Sequence, residues 1–108
     1  MKLFKLVKDE EMKHDDFNHI KIYESENYKL NILYYKKANI SPALTSVMKK
    51  DGSYIPSILI RINNDIKIQS SDWGSLSCDK IEKMIKQYEI AIESVQEIKE
   101  ILENNKLL

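Results

Sequence analysis

The last third of the chain carries a helical pattern of apolar residues. From about position 77 to position 104, apolar residues recur every three or four positions, which is the spacing of one face of an α-helix. The stripe consists of Ile81, Met84, Tyr88, Ala91, Val95, Ile98 and Leu102, with Ile85 and Ile92 widening it. Ser77 can cap the first turn, and Asp79 places a negative charge at the positive end of the helix dipole. The pattern predicts one long amphipathic helix from Ser77 to Asn104.

The first 72 residues instead alternate between apolar and polar positions in short runs, which is typical of β-strands. Strands are predicted at residues 2–7, 18–23, 28–34, 44–49, 53–62 and 66–69. Residues 24–27 turn one strand into the next and predict a hairpin, and Asp51-Gly52 and residues 63–65 predict two further reversals. Residues 8–16 are rich in charge and are expected to form a solvated loop.

These elements predict an α+β fold, in which an antiparallel sheet of four to six strands packs against one long C-terminal helix. The apolar face of the sheet and the apolar stripe of the helix each need a surface to cover them, and they can cover one another. The 108 residues suit a single domain, with residues 1–72 mostly in the sheet and residues 77–104 in the helix.

The predicted helix is longer than the sheet that it covers. A helix of this length spans about 40 Å, whereas typical strands span about 17–20 Å. We therefore expect part of the helix to overhang, with apolar residues at its far end: Ile98, Ile101, Leu102, Leu107 and Leu108. Either the helix stops early and the tail folds back, or these side chains contact a second copy of the chain or another protein.

Tyrosines are concentrated in the strand region and offer a second candidate surface. Tyr34 and Tyr35 are adjacent, so in a regular strand they point to opposite faces of the sheet. The one that faces away from the helix could form a binding patch with Tyr23, but an aromatic cross-strand pair on a solvated sheet face is the preferred interpretation. The candidate interaction residues are Tyr23, Tyr34, Tyr35, Ile98, Ile101 and Leu102.

Composition limits the classes of partner. Lys plus Arg and Asp plus Glu number 17 each, and Arg61 is the single arginine. Balanced charge and scarce arginine argue against a nucleic-acid partner, for which Lys36, Lys37, Lys49 and Lys50 are the remaining candidates. No run approaches the ~20 apolar residues of a membrane span, and the start of the chain is too interrupted by lysine for a signal peptide. The cytoplasm is therefore the expected location.

Few residues suggest chemistry. Cys78 is the one cysteine and lies in the first helical turn, where the helix dipole favours a thiolate, so a thiol-dependent enzyme is one alternative function. His14 and His19 have no metal-ligand spacing, and the sequence reveals no acid–base dyad. We therefore expect a protein without catalytic activity, metal or cofactor.

A resemblance to known proteins rests on the segment before the helix and on positions within it. These are Ser71-Asp72-Trp73-Gly74-Ser75-Leu76-Ser77, then Ile81-Glu82-Lys83, Tyr88 and Ala91-Ile92. Over roughly residues 54–102 the chain resembles small phage and prophage proteins of Gram-positive bacteria. The resemblance implies an origin in a mobile element and supplies no activity or catalytic residue. The sequence thus predicts a protein-interaction module of phage or prophage origin, which self-associates as a homodimer or binds and inhibits a host protein.

Overall fold

The computed structural model describes residues 2–37, 41–50, 55–61, 63, 65–69 and 78–108. In chain order the elements are β1 (Lys5–Glu11), β2 (Phe17–Glu24), β3 (Tyr28–Tyr35), β4 (Ala43–Lys49), β5 (Ser57–Ile60), β6 (Ile66–Gln69) and α1 (Cys78–Asn104). Strands β1 to β4 form one antiparallel sheet in chain order, and β5 and β6 form an antiparallel pair. The predicted α+β fold is confirmed, with the strands divided between two sheets.

The predicted hairpin is the pair β2 and β3, and a buried serine shapes its turn. The backbone N–H of Ser25 donates to the carbonyl of Tyr28 (2.9 Å), and the Ser25 Oγ accepts a hydrogen bond from the backbone N–H of Tyr28 (3.0 Å). These short contacts satisfy backbone groups that would otherwise be buried without partners. The turn therefore fixes the register of the two central strands.

β1 continues through charged residues for which the sequence predicted a loop. The strand extends to Glu11, so the loop prediction for residues 8–16 is wrong for its first four residues. Asp9 lies opposite Lys21 of β2, and Glu11 lies opposite His19. Because opposite charges on directly paired residues stabilise a strand pair, Asp9 opposite Lys21 supports pairing with β2 instead of breaking it.

The hydrophobic core lies between the β3–β4 half of the sheet and the C-terminal half of α1. From β3, Tyr28, Leu30 and Ile32 are fully buried, and from α1, Ile98 and Leu102 are fully buried in the same cluster. Other members come from the N-terminal segment, β4, the start of β5 and the tail: Phe4, Ala43, Ile55, Ile58, Ala91, Ile101 and Leu107. The core therefore joins residues from both ends of the chain.

α1 runs along β3 in the same direction. Near one end of β3, Tyr88 of α1 acts electrostatically on Tyr28, and at the other end the Tyr34 hydroxyl bonds to Asn105 just beyond the helix. About ten helical residues precede Tyr88, so the helix extends past β3 by about 15 Å at its N-terminal end. The molecule is correspondingly elongated, measuring 50 × 24 × 23 Å.

This geometry corrects two expectations for the helix. Residues 78–83 are exposed, so the projecting part is the beginning of the helix and not its end. Ile85 and Ile92 are 54% and 51% exposed, and the prediction that they widen the buried stripe is therefore wrong. The buried face of the helix widens instead on the side of Ser94, which is fully buried. The Ser94 Oγ donates a hydrogen bond to the carbonyl of Ile90 (2.7 Å).

The tail after α1 folds back onto the core, as in one of the two sequence alternatives, but the helix reaches Asn104 and does not stop early. Lys106 has a φ of 59°, in the left-handed region, and its N–H donates to the carbonyl of Glu103 (3.0 Å). The N–H of Leu107 donates to the carbonyl of Leu102 (2.8 Å). This pair of bonds is a Schellman motif, and it turns the Leu107 side chain into the core beside the helix.

Several predicted features lie outside the described residues. They are the Ser77 cap, the Asp51-Gly52 turn and the segment 71–77 on which the resemblance depends.

Candidate functional site

The outer face of the four-stranded sheet, which points away from α1, carries a continuous row of apolar side chains. Ile20, Leu33 and Leu44 lie directly opposite one another on β2, β3 and β4. Leu44 is 47% exposed, and none of the three belongs to the hydrophobic core. Residues paired across strands share one face of a sheet, so the row forms one surface, on which Leu44 is exposed and Ile20 and Leu33 are partly exposed.

An aromatic group extends this row at one end of the sheet. A bulge in β2 brings Phe17 opposite Tyr35, and their rings lie 4.9 Å apart. The His14 ring lies 5.1 Å from Phe17 on its other side. Tyr35 lies two residues after Leu33 in β3 and therefore shares the outer face. We call the five residues Phe17, Ile20, Leu33, Tyr35 and Leu44 the outer patch.

Polar residues border the outer patch. Glu10 of β1 lies opposite Ile20, at the end of the apolar row. In the next row, Lys8 and Ile22 are followed by Asn31 and Ser46. An apolar centre with a polar border is the usual composition of a protein-binding surface.

On the other face, a polar cluster fastens the end of the helix to the sheet. Asn105 accepts hydrogen bonds at its Oδ1 from the Lys21 ammonium (2.7 Å) and the Tyr34 hydroxyl (3.3 Å). Its Nδ2 donates to the Tyr23 hydroxyl (3.3 Å) and to the Ile101 carbonyl (2.8 Å). All four hydrogen-bonding positions of the amide are therefore used within the chain, as in a structural joint.

A histidine–carboxylate pair lies beside this joint. His19 Nε2 contacts Asp9 Oδ1, and the His19 ring meets the Tyr34 ring edge-on at 5.8 Å. His19 borders a shallow depression of about 540 Å³ that Lys21 and Asn105 also line. Both members of the pair are partly exposed, with 30% and 43% of their side-chain surfaces accessible. No nucleophilic side chain contacts His19 in the described part of the chain, so the arrangement lacks the third member of a catalytic triad.

The sequence missed both groupings for a physical reason. Asp9 was assigned to a loop, and Asn105 lies beyond the last residue of the predicted helix, where periodicity carries no signal. The alternation of Ile20 and Ile22 with Lys21 was recognised, but alternation alone does not tell which face the helix covers. The register of β2 against β3 supplies that information.

The candidate tyrosines divide between the two faces. Tyr34 and Tyr35 do point to opposite faces, as expected, since Tyr34 bonds to Asn105 and Tyr35 packs against Phe17. Tyr23, however, bonds to Asn105 and lies on the same face as Tyr34. The suggestion that Tyr23 and the outer tyrosine form one patch is therefore wrong.

The three candidates at the end of the helix are inside the core. Ile98 and Leu102 have no accessible surface, and Ile101 is 9% exposed. Their neighbours in the core include Leu107 of the folded-back tail. These side chains are used in folding and offer no exposed surface to a partner in this fold.

The residues that would support nucleic-acid binding or a thiol-dependent enzyme lie apart from the outer patch. Lys36 and Lys37 follow the end of β3, whereas Lys49 pairs with Tyr28 at the beginning of that strand, so the two lysine pairs are separated by about 20 Å. They do not form a continuous basic surface. Cys78 is exposed at the first residue of α1, at the projecting end of the molecule, and its role as a reactive thiol stays a prediction.

Comparison with protein-family models, curated proteins and solved structures found no match to this chain. Among the described residues, no group of three or more His, Cys, Asp or Glu side chains is placed to hold a metal ion. Within the same part of the chain, no helix is long and apolar enough to cross a bilayer.

Proposed function

We propose that this chain is a protein-interaction module without catalytic activity, and that the outer patch is its docking surface for another protein. The observation that carries the proposal is the row Ile20, Leu33 and Leu44, which crosses three strands and lies outside the core. Burial of such apolar surface against a partner is favourable, because it removes the surface from water. All hydrogen-bonding positions of the Asn105 amide are used within the chain, which supports a structural role for the polar cluster on the opposite face of the sheet.

The outer patch is too small to form the whole of a stable protein–protein interface. Three strands about 4.8 Å apart and four residues along each strand make a flat area of roughly 200 Å². A stable dimer buries about 800 Å² on each partner. The outer patch therefore supplies the apolar centre of a transient contact, and the partner brings a complementary apolar group with polar groups around it.

The origin and location of the protein belong to the same proposal. The resemblance to phage and prophage proteins and the small size of the chain support an origin in a mobile element. The partner is then a bacterial host protein that meets this chain in the host cytoplasm. Inhibition of a host enzyme is one form that such binding takes.

Site-specific photocrosslinking in the organism that encodes the chain tests this proposal. A photoreactive phenylalanine analogue replaces Leu44 in one version and Ile85 in a matched control, because the two side chains are similarly exposed, at 47% and 54%. Ile85 lies on the exposed side of the first half of α1, away from the outer patch. We expect a discrete adduct with another protein from position 44 and none from position 85.

Three outcomes would contradict the proposal. Equal adducts from both positions would indicate nonspecific contact. An adduct at twice the 12.7 kDa mass of the chain would show that a second copy covers the outer patch. The absence of any adduct from position 44, with the probe incorporated and the protein folded, would show that the face stays in water.

A further inference from the structure

β1 presents an open edge of the four-stranded sheet. It pairs with β2 on one side, and no described element pairs with its other side. All seven of its residues are exposed. The unpaired backbone N–H and C=O groups of such an edge can accept another strand.

The charges along β1 are separated by sign. The first half carries Lys5 and Lys8, and the second half carries Asp9, Glu10 and Glu11. Charges of any arrangement discourage indiscriminate edge pairing, as does the bulge between Leu6 and Lys8. Separation by sign does more, because it makes the interaction depend on strand direction.

An antiparallel second copy meets this edge with complementary charge. Its acidic half lies beside the basic half of the first copy, and the reverse holds at the other end. A parallel copy in register would place like charges together, which destabilises a strand pair. The strand is thus complementary to itself in one orientation.

The faces of the sheet select a register. Lys5 lies opposite Glu24, and Glu10 lies opposite Ile20, so Lys5 and Glu10 both belong to the outer face. Side chains that face one another across a strand pair must share a face. An antiparallel register that sets Lys5 opposite Glu10 of the second copy meets this condition, and symmetry makes the same pair twice.

We propose that two copies of this chain pair antiparallel through their β1 edges and form one continuous eight-stranded sheet. The pairing does not use the outer patch and does not depend on the proposed function. It leaves two outer patches on the same side of the joined sheet, one from each copy.

Charge exchange between two variants tests the proposal. The acidic-edge variant carries Lys5→Glu and Lys8→Glu, and the basic-edge variant carries Glu10→Lys and Glu11→Lys. Asp9 is kept because it contacts His19. The intrachain pair of Lys8 and Glu10 (3.3 Å) is lost in both variants, but both side chains are about half exposed, so its loss changes folding little.

The solution mass of each protein is measured by light scattering over a concentration series at low salt. We expect the wild type to dimerise, each variant alone to dimerise at least about tenfold more weakly, and an equimolar mixture of the two to recover the dimer. Added salt should weaken the wild-type dimer, since its charged pairs lie near water. Circular dichroism verifies that each variant is folded.

Other results would overturn the proposal. A wild type that remains monomeric at every concentration would exclude pairing, and variants that dimerise as well as the wild type would place the interface elsewhere. A mixture that fails to recover the dimer would exclude charge complementarity. Leu44→Lys serves as the surface control: it should keep the dimer, and its dissociation would assign the dimer to the outer patch.

Discussion

At the scale of single residues, Tyr28 makes the most consequential polar contact of the core. Its ring is fully buried, and its hydroxyl donates to the carbonyl of Pro56 at 2.7 Å, which links β3 to the chain entering β5. Burial first, and the nearby Tyr88 second, raise the pKa of the Tyr28 hydroxyl from 10.0 to about 12. The folded protein therefore holds this proton more tightly than the unfolded chain does.

Tyr28→Phe should lower the free energy of unfolding by about 1–2 kcal/mol, because the Pro56 carbonyl loses its buried donor. The same substitution should change the response to alkali. The pKa of Tyr28 is higher in the folded state, so its contribution to stability is complete below pH 10 and is lost as the pH rises towards about 12. Urea unfolding at several pH values from 8 to 11.5 should show a smaller decline for the variant than for the wild type.

Tyr35→Phe is the control for this prediction. Tyr35 lies on the outer face against Phe17, and its substitution should leave the alkaline decline in place. Equal declines in the wild type and Tyr28→Phe would show that other groups control alkaline unfolding.

At the scale of secondary structure, the sequence predicted those elements whose side-chain pattern matches their surroundings. β2 and β3 alternate regularly, and the α1 stripe follows the helical period, so their existence could be predicted. The charged second half of β1 could not be predicted, because the β2 residues opposite its charges are known only from the register of the two strands. Ile85 and Ile92 were misassigned because the helical period does not tell on which side of the stripe the buried face widens.

The candidate site was predicted only in part for a related reason. The opposite orientation of Tyr34 and Tyr35 follows from the strand repeat alone. The grouping of Phe17 with Tyr35 depends on a bulge in β2, and the grouping of Tyr23 and Tyr34 on Asn105 depends on where the helix stops. Neither a bulge nor a stop at Asn104 without glycine has a dependable sequence signal.

The helix stop can be improved by one substitution. Lys106 adopts a left-handed φ of 59°, which costs a residue with a Cβ more than it costs glycine. Lys106→Gly should therefore raise the free energy of unfolding by about 0.5–1 kcal/mol. Lys99→Gly, inside the same helix, should instead lower it by about 1 kcal/mol. Thermal unfolding of both variants measures the two effects, and a decrease for both would contradict the assigned cap.

At the scale of the whole molecule, the two ends of α1 lie in different environments. Its C-terminal half is part of the core, whereas its first residues project beyond β3 into water. The Glu97 carboxylate adds a link on the flank of the C-terminal half, accepting hydrogen bonds from the backbone N–H groups of Leu3 (2.7 Å) and Phe4 (2.8 Å). The helix therefore holds both the sheet and the N-terminal segment.

Truncation of apolar side chains should reveal this division. Leu102→Ala should lower the free energy of unfolding by about 2–5 kcal/mol, because it opens a cavity in the core. Ile85→Ala, on the exposed side of the same helix, should change it by less than about 0.5 kcal/mol. Chemical denaturation provides both values. Similar losses for the two variants would mean that the Ile85 side chain is also covered in solution.

The Glu97 contacts also bear on how the protein is made. They join residues more than ninety positions apart, and the bond between Lys21 and Asn105 spans a similar distance. The strands leave the ribosome first, but the core against β3 cannot be completed until residues as far as Leu107 have emerged. During translation the nascent sheet exposes apolar surface on both faces, and in that interval the charges and the bulge of β1 discourage unspecific pairing with other strands.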